Sequence, residues 1–119
     1  MITIFSHPRP FKGDFIVPQL NAIKSWKAAI PDVEIFIIND EENTSESIAK
    51  ELNVNVIVES KFSEFGTPLL NNAFELVQQR AKYDIIAYIN TDIIVTSHFL
   101  TGIDILIREF KDRSFYGIG

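Results

Sequence analysis

The sequence predicts an α/β domain built on an open, mostly parallel β-sheet with helices packed on its faces. Three observations predict it. Short β-branched and aromatic runs alternate with longer stretches in which apolar residues recur at helical spacing. Polar turn residues directly follow the hydrophobic runs. The chain has 119 residues, 46% hydrophobic and 23% charged, which is the size and composition of one globular domain.

The first strand is Ile2 to Phe5, ended by Ser6-His7-Pro8-Arg9-Pro10, where two prolines exclude helix and central strand. Ile16, Leu20, Ile23, Trp26 and Ile30 form a helical stripe, with Pro18 tolerable only in the first turn. Pro31-Asp32 stops that helix. Val33 to Ile38 is a buried-strand run, and Asn39-Asp40-Glu41-Glu42 ends it with turn chemistry. Asn43 and Glu46 then read as an N-cap with its reciprocal carboxylate, opening a short helix that carries Ile48 and Leu52. Val54 to Val58 is the third strand. After a polar loop, Thr67-Pro68 reads as the start of a helix whose core face is Leu70, Ala73, Phe74, Val77 and Ala81. Asp84 to Ile89 is the fourth strand. Asn90-Thr91-Asp92 interrupts it, and Ile93 to Val95 resumes it. Thr96 or Ser97 caps a last helix with Phe99, Ile103, Leu106 and Phe110 inward, and Phe115 to Ile118 is a fifth strand candidate.

Composition excludes several classes. Eleven Lys and Arg against sixteen Asp and Glu give a net charge of −5, which disfavours general nucleic-acid binding. With no cysteine, disulfides, thiolate chemistry and zinc–sulfur sites are absent. The longest apolar run, Ile85 to Ile89, is far short of the ~20 residues that span a membrane. No basic start precedes the first strand, so a secretory signal is not expected and the chain reads as cytoplasmic. There is no G-x-G-x-x-G, no P-loop and no G-x-S-x-G elbow. A receiver domain needs an acidic cluster where this chain has SHPRP.

In an open parallel sheet, ligands bind beyond the carboxyl ends of the strands, where strand order reverses. That rule selects Ser6 to Arg9, Asn39 to Glu42, Glu59 to Thr67 and Asn90 to Asp92. If the segment is extended, Asn90 and Asp92 point to one side, and one carboxylate with one amide oxygen suits a hard cation. A polar turn with Asp92 bonded to local backbone is the plainer alternative. Asp40 has the position of an acid that meets a base or ribose, or of a solvated turn residue. His7 and Arg9 suit phosphate, and equally suit a surface loop. His98 reads as a surface residue. Trp26 lies on the apolar stripe and reads as core.

Five ordered blocks carry a resemblance: Phe11-Lys12-Gly13, QLNAIKSW (Gln19 to Trp26), IINDEEN (Ile37 to Asn43), EFGTPLLNNAF (Glu64 to Phe74) and YINTDIIVTSHFL (Tyr88 to Leu100). Together they resemble the nucleotide-diphospho-sugar transferases, the glycosyltransferases of the GT-A fold. The resemblance implies a Rossmann-like nucleotide-binding half that takes a nucleoside-diphosphate sugar with Mn²⁺ or Mg²⁺ for glycosyl transfer to an acceptor hydroxyl. By it, Asn90-Thr91-Asp92 stands where the family has its D-x-D-type motif, with Asp92 and Asn90 toward the metal and Asn90 replacing the first Asp. It places Ser6, His7, Arg9, Asp40, Asn90 and Thr91 around the nucleotide, and Asn71 and Asn72 toward the diphosphate side. It implies that residues 1–119 are one domain, the donor-binding half, cut short at the C-terminus. No residue is assigned as general base, because Glu109 and Asp112 read as solvated. The alternative is a non-catalytic nucleotide-binding or assembly module. A bare sheet edge leads to the expectation of a homo-oligomer.

Overall fold

The computed structural model describes residues 2–59 and 70–109; the polar loop through Gly66, the Thr67-Pro68 start, all of the selected Glu59 to Thr67 segment but its first residue, and the fifth strand candidate lie outside them. The order is β1 (Ile2–Ser6), a 3-10 turn (Gly13–Phe15), α1 (Ile16–Ala29), β2 (Glu34–Ile38), α2 (Ser45–Leu52), β3 (Asn55–Ile57), α3 (Leu70–Arg80), β4 (Ile85–Tyr88) and α4 (Ser97–Glu109). The four strands form one sheet in the order β3-β2-β1-β4, every pair parallel. Phe5 pairs with Phe36 on one side and Tyr88 on the other.

Strand periodicity divides the core in two. Ile2, Ile4, Ile35, Ile37 and Ile89 face one side, where Ala22, Ile23 and Trp26 of α1 and Ala49 of α2 pack on them with Phe99, Leu100 and Ile103 of α4. Phe5, Phe36, Ile38 and Ile57 face the other side and meet Ala73 and Val77 of α3. The chain steps outward from β1 through α1 and α2 on the first face. It then returns past β1 to β4 by way of α3 on the second. A fixed crossover hand demands that change of face when the direction of travel reverses. The result is a Rossmann-like α/β sheet whose order switches between β1 and β4.

Two local expectations are corrected. Asn43 does not cap α2: it is left-handed at φ 58°, and Thr44, the residue before the helix, makes no side-chain cap bond. Ile93 to Val95 is not a resumed strand but an irregular segment held from outside. At its other end α2 closes as the turn chemistry allows, with left-handed Asn53 letting Val54 N–H reach the Ala49 carbonyl at 2.9 Å. Gly13, at φ 57°, supplies the one positive-φ glycine among the described residues and turns the chain into α1. No helix of the described residues is long and apolar enough to cross a membrane.

Candidate functional site

The β1/β4 switch brings two of the selected loops together. Ser6, the last residue of β1, is fully buried, and its hydroxyl donates to the Ile89 carbonyl at 2.5 Å. That uses its only proton, so Thr91 is the donor in the 2.5 Å contact between the two hydroxyls. The Ser6–Thr91 pair thus locks the start of the His7–Pro10 loop to the segment after β4. Both residues are buried, so neither hydroxyl is open to solvent. Asn90 and Asp92, on either side of Thr91, are exposed. They do not lie in an extended segment: Ile93 N–H closes a turn on the Asn90 carbonyl at 3.1 Å.

Helix α1 holds this edge in place. The Trp26 indole N–H donates to the Ile93 carbonyl at 2.9 Å, and Ser25 Oγ accepts the Val95 N–H at 3.0 Å. Trp26 is therefore core, as its spacing predicts, and also the tether of the turn that carries Asp92. Two turns earlier, the Gln19 side chain grips both main-chain groups of Arg9. The QLNAIKSW block is the set of residues by which one helix positions two loops.

Asp40 has a different environment from either expectation. It is neither solvated nor open, being 3% exposed at the end of β2. Its Oδ1 accepts Ser45 N–H at 2.8 Å, Ser45 Oγ–H at 2.6 Å and Thr44 Oγ1–H at 2.8 Å. Its Oδ2 accepts Glu42 N–H at 3.1 Å and Thr44 N–H at 3.2 Å. This carboxylate takes the capping work that the sequence assigned to Asn43. Burial pushes its pKa up, but the hydrogen bonds from Ser45 and Thr44 outweigh that and hold it below the ordinary carboxylate value. Thr44 Oγ1 also accepts Phe11 N–H at 2.8 Å, and Lys12 pairs with Glu42 at 2.7 Å. The loops after β1 and β2 are joined by these contacts. Asn39, beside them, donates through Nδ2 to Asn43 at 2.7 Å, while its Oδ1 is buried with no partner.

His7 is half-buried in the field of these groups. Burial lowers its pKa below the ordinary 6.5, Asp40 pulls it back up, Arg9 lowers it and Glu41 raises it, with a net lowering. The fold therefore favours the neutral ring. The unfolded chain takes up the proton first, so stability falls as the pH drops below about 6.5. In an NMR titration His7 should titrate below 6.5, and Asp40→Asn should lower it further by removing the larger raising charge. A His7 that titrates above 6.5 in the wild type would contradict this electrostatic picture.

Among the described residues, no group of three or more His, Cys, Asp or Glu side chains converges as a metal cage. The turn after β4 offers one exposed carboxylate, Asp92, and one exposed amide, Asn90. A carboxylate and an amide oxygen are ligand types that a hard cation takes alongside water and a diphosphate. Asn71 lies exposed on α3 beside Phe74, Glu75 and Gln78, which line a shallow depression. Asn72 is partly buried on the same helix. Sequence reasoning did not single out Thr44, and it placed Gln19, Ser25 and Asn39 only within longer segments, QLNAIKSW and the Asn39 to Glu42 turn. The signal for Gln19 was present, since position 19 falls on the apolar stripe of α1, where a polar side chain must find a partner. No family model, curated protein or solved structure matches the chain.

Proposed function

We propose that this chain is a GT-A-like domain that binds a nucleoside-diphosphate sugar with Mn²⁺ or Mg²⁺ for glycosyl transfer to an acceptor hydroxyl. One observation carries the reading: strand order reverses between β1 and β4, and the Ser6–Thr91 lock sets the His7–Arg9 loop beside the exposed Asn90–Asp92 turn. An open parallel sheet takes nucleotides at that place. Arg9 supplies a planar donor fork for phosphate oxygens. Asp92, with Asn90, holds the cation, whose chemistry when bound is to neutralise the leaving diphosphate. Asn39 Oδ1 is an acceptor in need of a donor at the end of β2, as a base or its water would provide. Asp40 acts behind the site, by shaping the loop between β2 and α2.

A thermal-shift series with UDP, GDP and ADP, each with and without Mn²⁺, tests the reading. One nucleotide at 100 times its Kd should stabilise by about 2.7 kcal/mol, roughly 10 °C in Tm for a domain of this size. Asp92→Ala should remove the Mn²⁺-dependent part of the shift and leave the metal-free part unchanged. No shift with any of the three nucleotides would overturn the proposal.

A further inference from the structure

We infer that Gln19 is a positioning residue, which fixes the main chain of Arg9 so that the His7–Arg9 loop receives a phosphoanhydride. The inference rests on the donor-nucleotide reading for its ligand class and on hydrogen-bond geometry for its residue. Arg9 stands between Pro8 and Pro10, neither of which has an N–H. Within that triplet Arg9 is the one main-chain donor, and Gln19 Oε1 accepts it at 2.7 Å. The same amide donates from Nε2 to the Arg9 carbonyl at 2.9 Å. A side chain only 5% exposed, on the first turns of α1, thus binds Arg9 as a neighbouring strand would. The two prolines also bias His7 and Arg9 toward extended backbone. The loop has little freedom left to lose on binding, which is the condition for a preorganised site.

The side chain it presents is free to act. Arg9 is exposed, and its guanidinium rests 5.0 Å from the centroid of the Phe15 ring, itself 44% exposed. That is a weak solvent-facing contact, and bidentate pairing with phosphate is stronger. Lys12, the other cation in the described loops at the carboxyl edge, is paired with Glu42. The near field is otherwise acidic, with Asp40 and Glu41 acting on His7. Discrimination in favour of an anion at this edge therefore depends on where Arg9 is held, and Gln19 holds it.

Calorimetric titrations of the full chain with inorganic pyrophosphate, UDP and uridine at low salt test this, using Gln19→Met, Gln19→Glu and Arg9→Lys. Gln19→Met should weaken pyrophosphate and UDP about tenfold and leave uridine unchanged. Gln19→Glu keeps the acceptor for Arg9 N–H and loses the donor, so it should fall between Met and wild type. Arg9→Lys, an exposed change with no folding cost, should match the Gln19→Met loss. Adding Gln19→Met to it should cost little more, because the two act as one unit. Equal pyrophosphate affinity in wild type and in both Gln19 variants would overturn the inference, as would no pyrophosphate binding by the wild type. A lower Tm with unchanged affinities would reduce Gln19 to a structural role and also overturn it. Pyrophosphate binding lost in Gln19→Met, with UDP no tighter than pyrophosphate, would support the inference while removing the nucleoside reading. UDP binding indifferent to Gln19 would do the reverse.

Discussion

Asp40→Ala should destabilise the chain by about 3 kcal/mol, roughly 10 °C in Tm. The substitution strips partners from three main-chain N–H groups and two hydroxyls at once. An N-cap deletion alone costs about 0.5–2 kcal/mol, and bonds to a charged acceptor are worth about 1.5–3 kcal/mol each before non-additivity is counted. Asp40→Asn keeps the shape and one good acceptor but turns an NH₂ group toward donors, so it should lose a smaller share. The pH dependence has a definite sign. The folded-state pKa lies below the ordinary value, so the carboxylate's contribution is present above pH ~4 and is lost as the pH falls through the folded value. Urea melts between pH 7 and pH 3 should show a steeper acid limb for the wild type than for Asp40→Asn. A loss under 1 kcal/mol for Asp40→Ala, or identical acid limbs, would remove Asp40 from this role.

That result would also explain why the sequence misassigned the capping of α2. Asn43 followed by Glu46 is a sound local signal, yet it competes with a carboxylate three residues upstream that is buried and already close to the helix N-terminus. A five-bond acceptor displaces a one-bond cap, and Asn43 relaxes into the left-handed turn that its side chain tolerates. The sheet and its switch were legible for a different reason. Runs such as Ile35 to Ile38 are hydrophobic on both faces, and only a parallel strand covered by helices on both sides satisfies them. The polar segments at the carboxyl edge were legible by position. Their mutual contacts were not, because Ser6 and Thr91 are 85 residues apart in sequence. Asn90 and Asp92 show the limit of spacing arguments: a period of two has meaning only in a strand, and here a turn intervenes.

Trp26→Ala should be the most damaging single change in the first face of the core, at about 3–5 kcal/mol. The side chain is fully buried among Ile4, Ile23 and Ile37, where no neighbour of the rigid sheet can move far enough to refill the space. Trp26→Phe separates packing from tethering. It keeps an aromatic ring in the core but removes the N–H that holds the Ile93 carbonyl. Ile93 is 46% exposed, so water can take over that carbonyl, and the stability cost should be nearer 1–2 kcal/mol. The consequence for the site is larger than that figure suggests. Ile93 closes the turn on Asn90, and Asp92 lies inside that turn, directly before the tethered residue. Without the indole donor, Ser25 is the one α1 side chain among the described residues still hydrogen-bonded to the segment, through Val95, whose own side chain is in the core. Amide exchange from Thr91 to Val95 should therefore accelerate in Trp26→Phe while exchange in β1 and β2 stays slow. Any Mn²⁺-dependent gain in nucleotide affinity should shrink with it, since a carboxylate on a loosened turn must be ordered again on binding. Unchanged exchange across Thr91 to Val95 in Trp26→Phe would mean that the turn holds itself, and that α1 contributes packing alone.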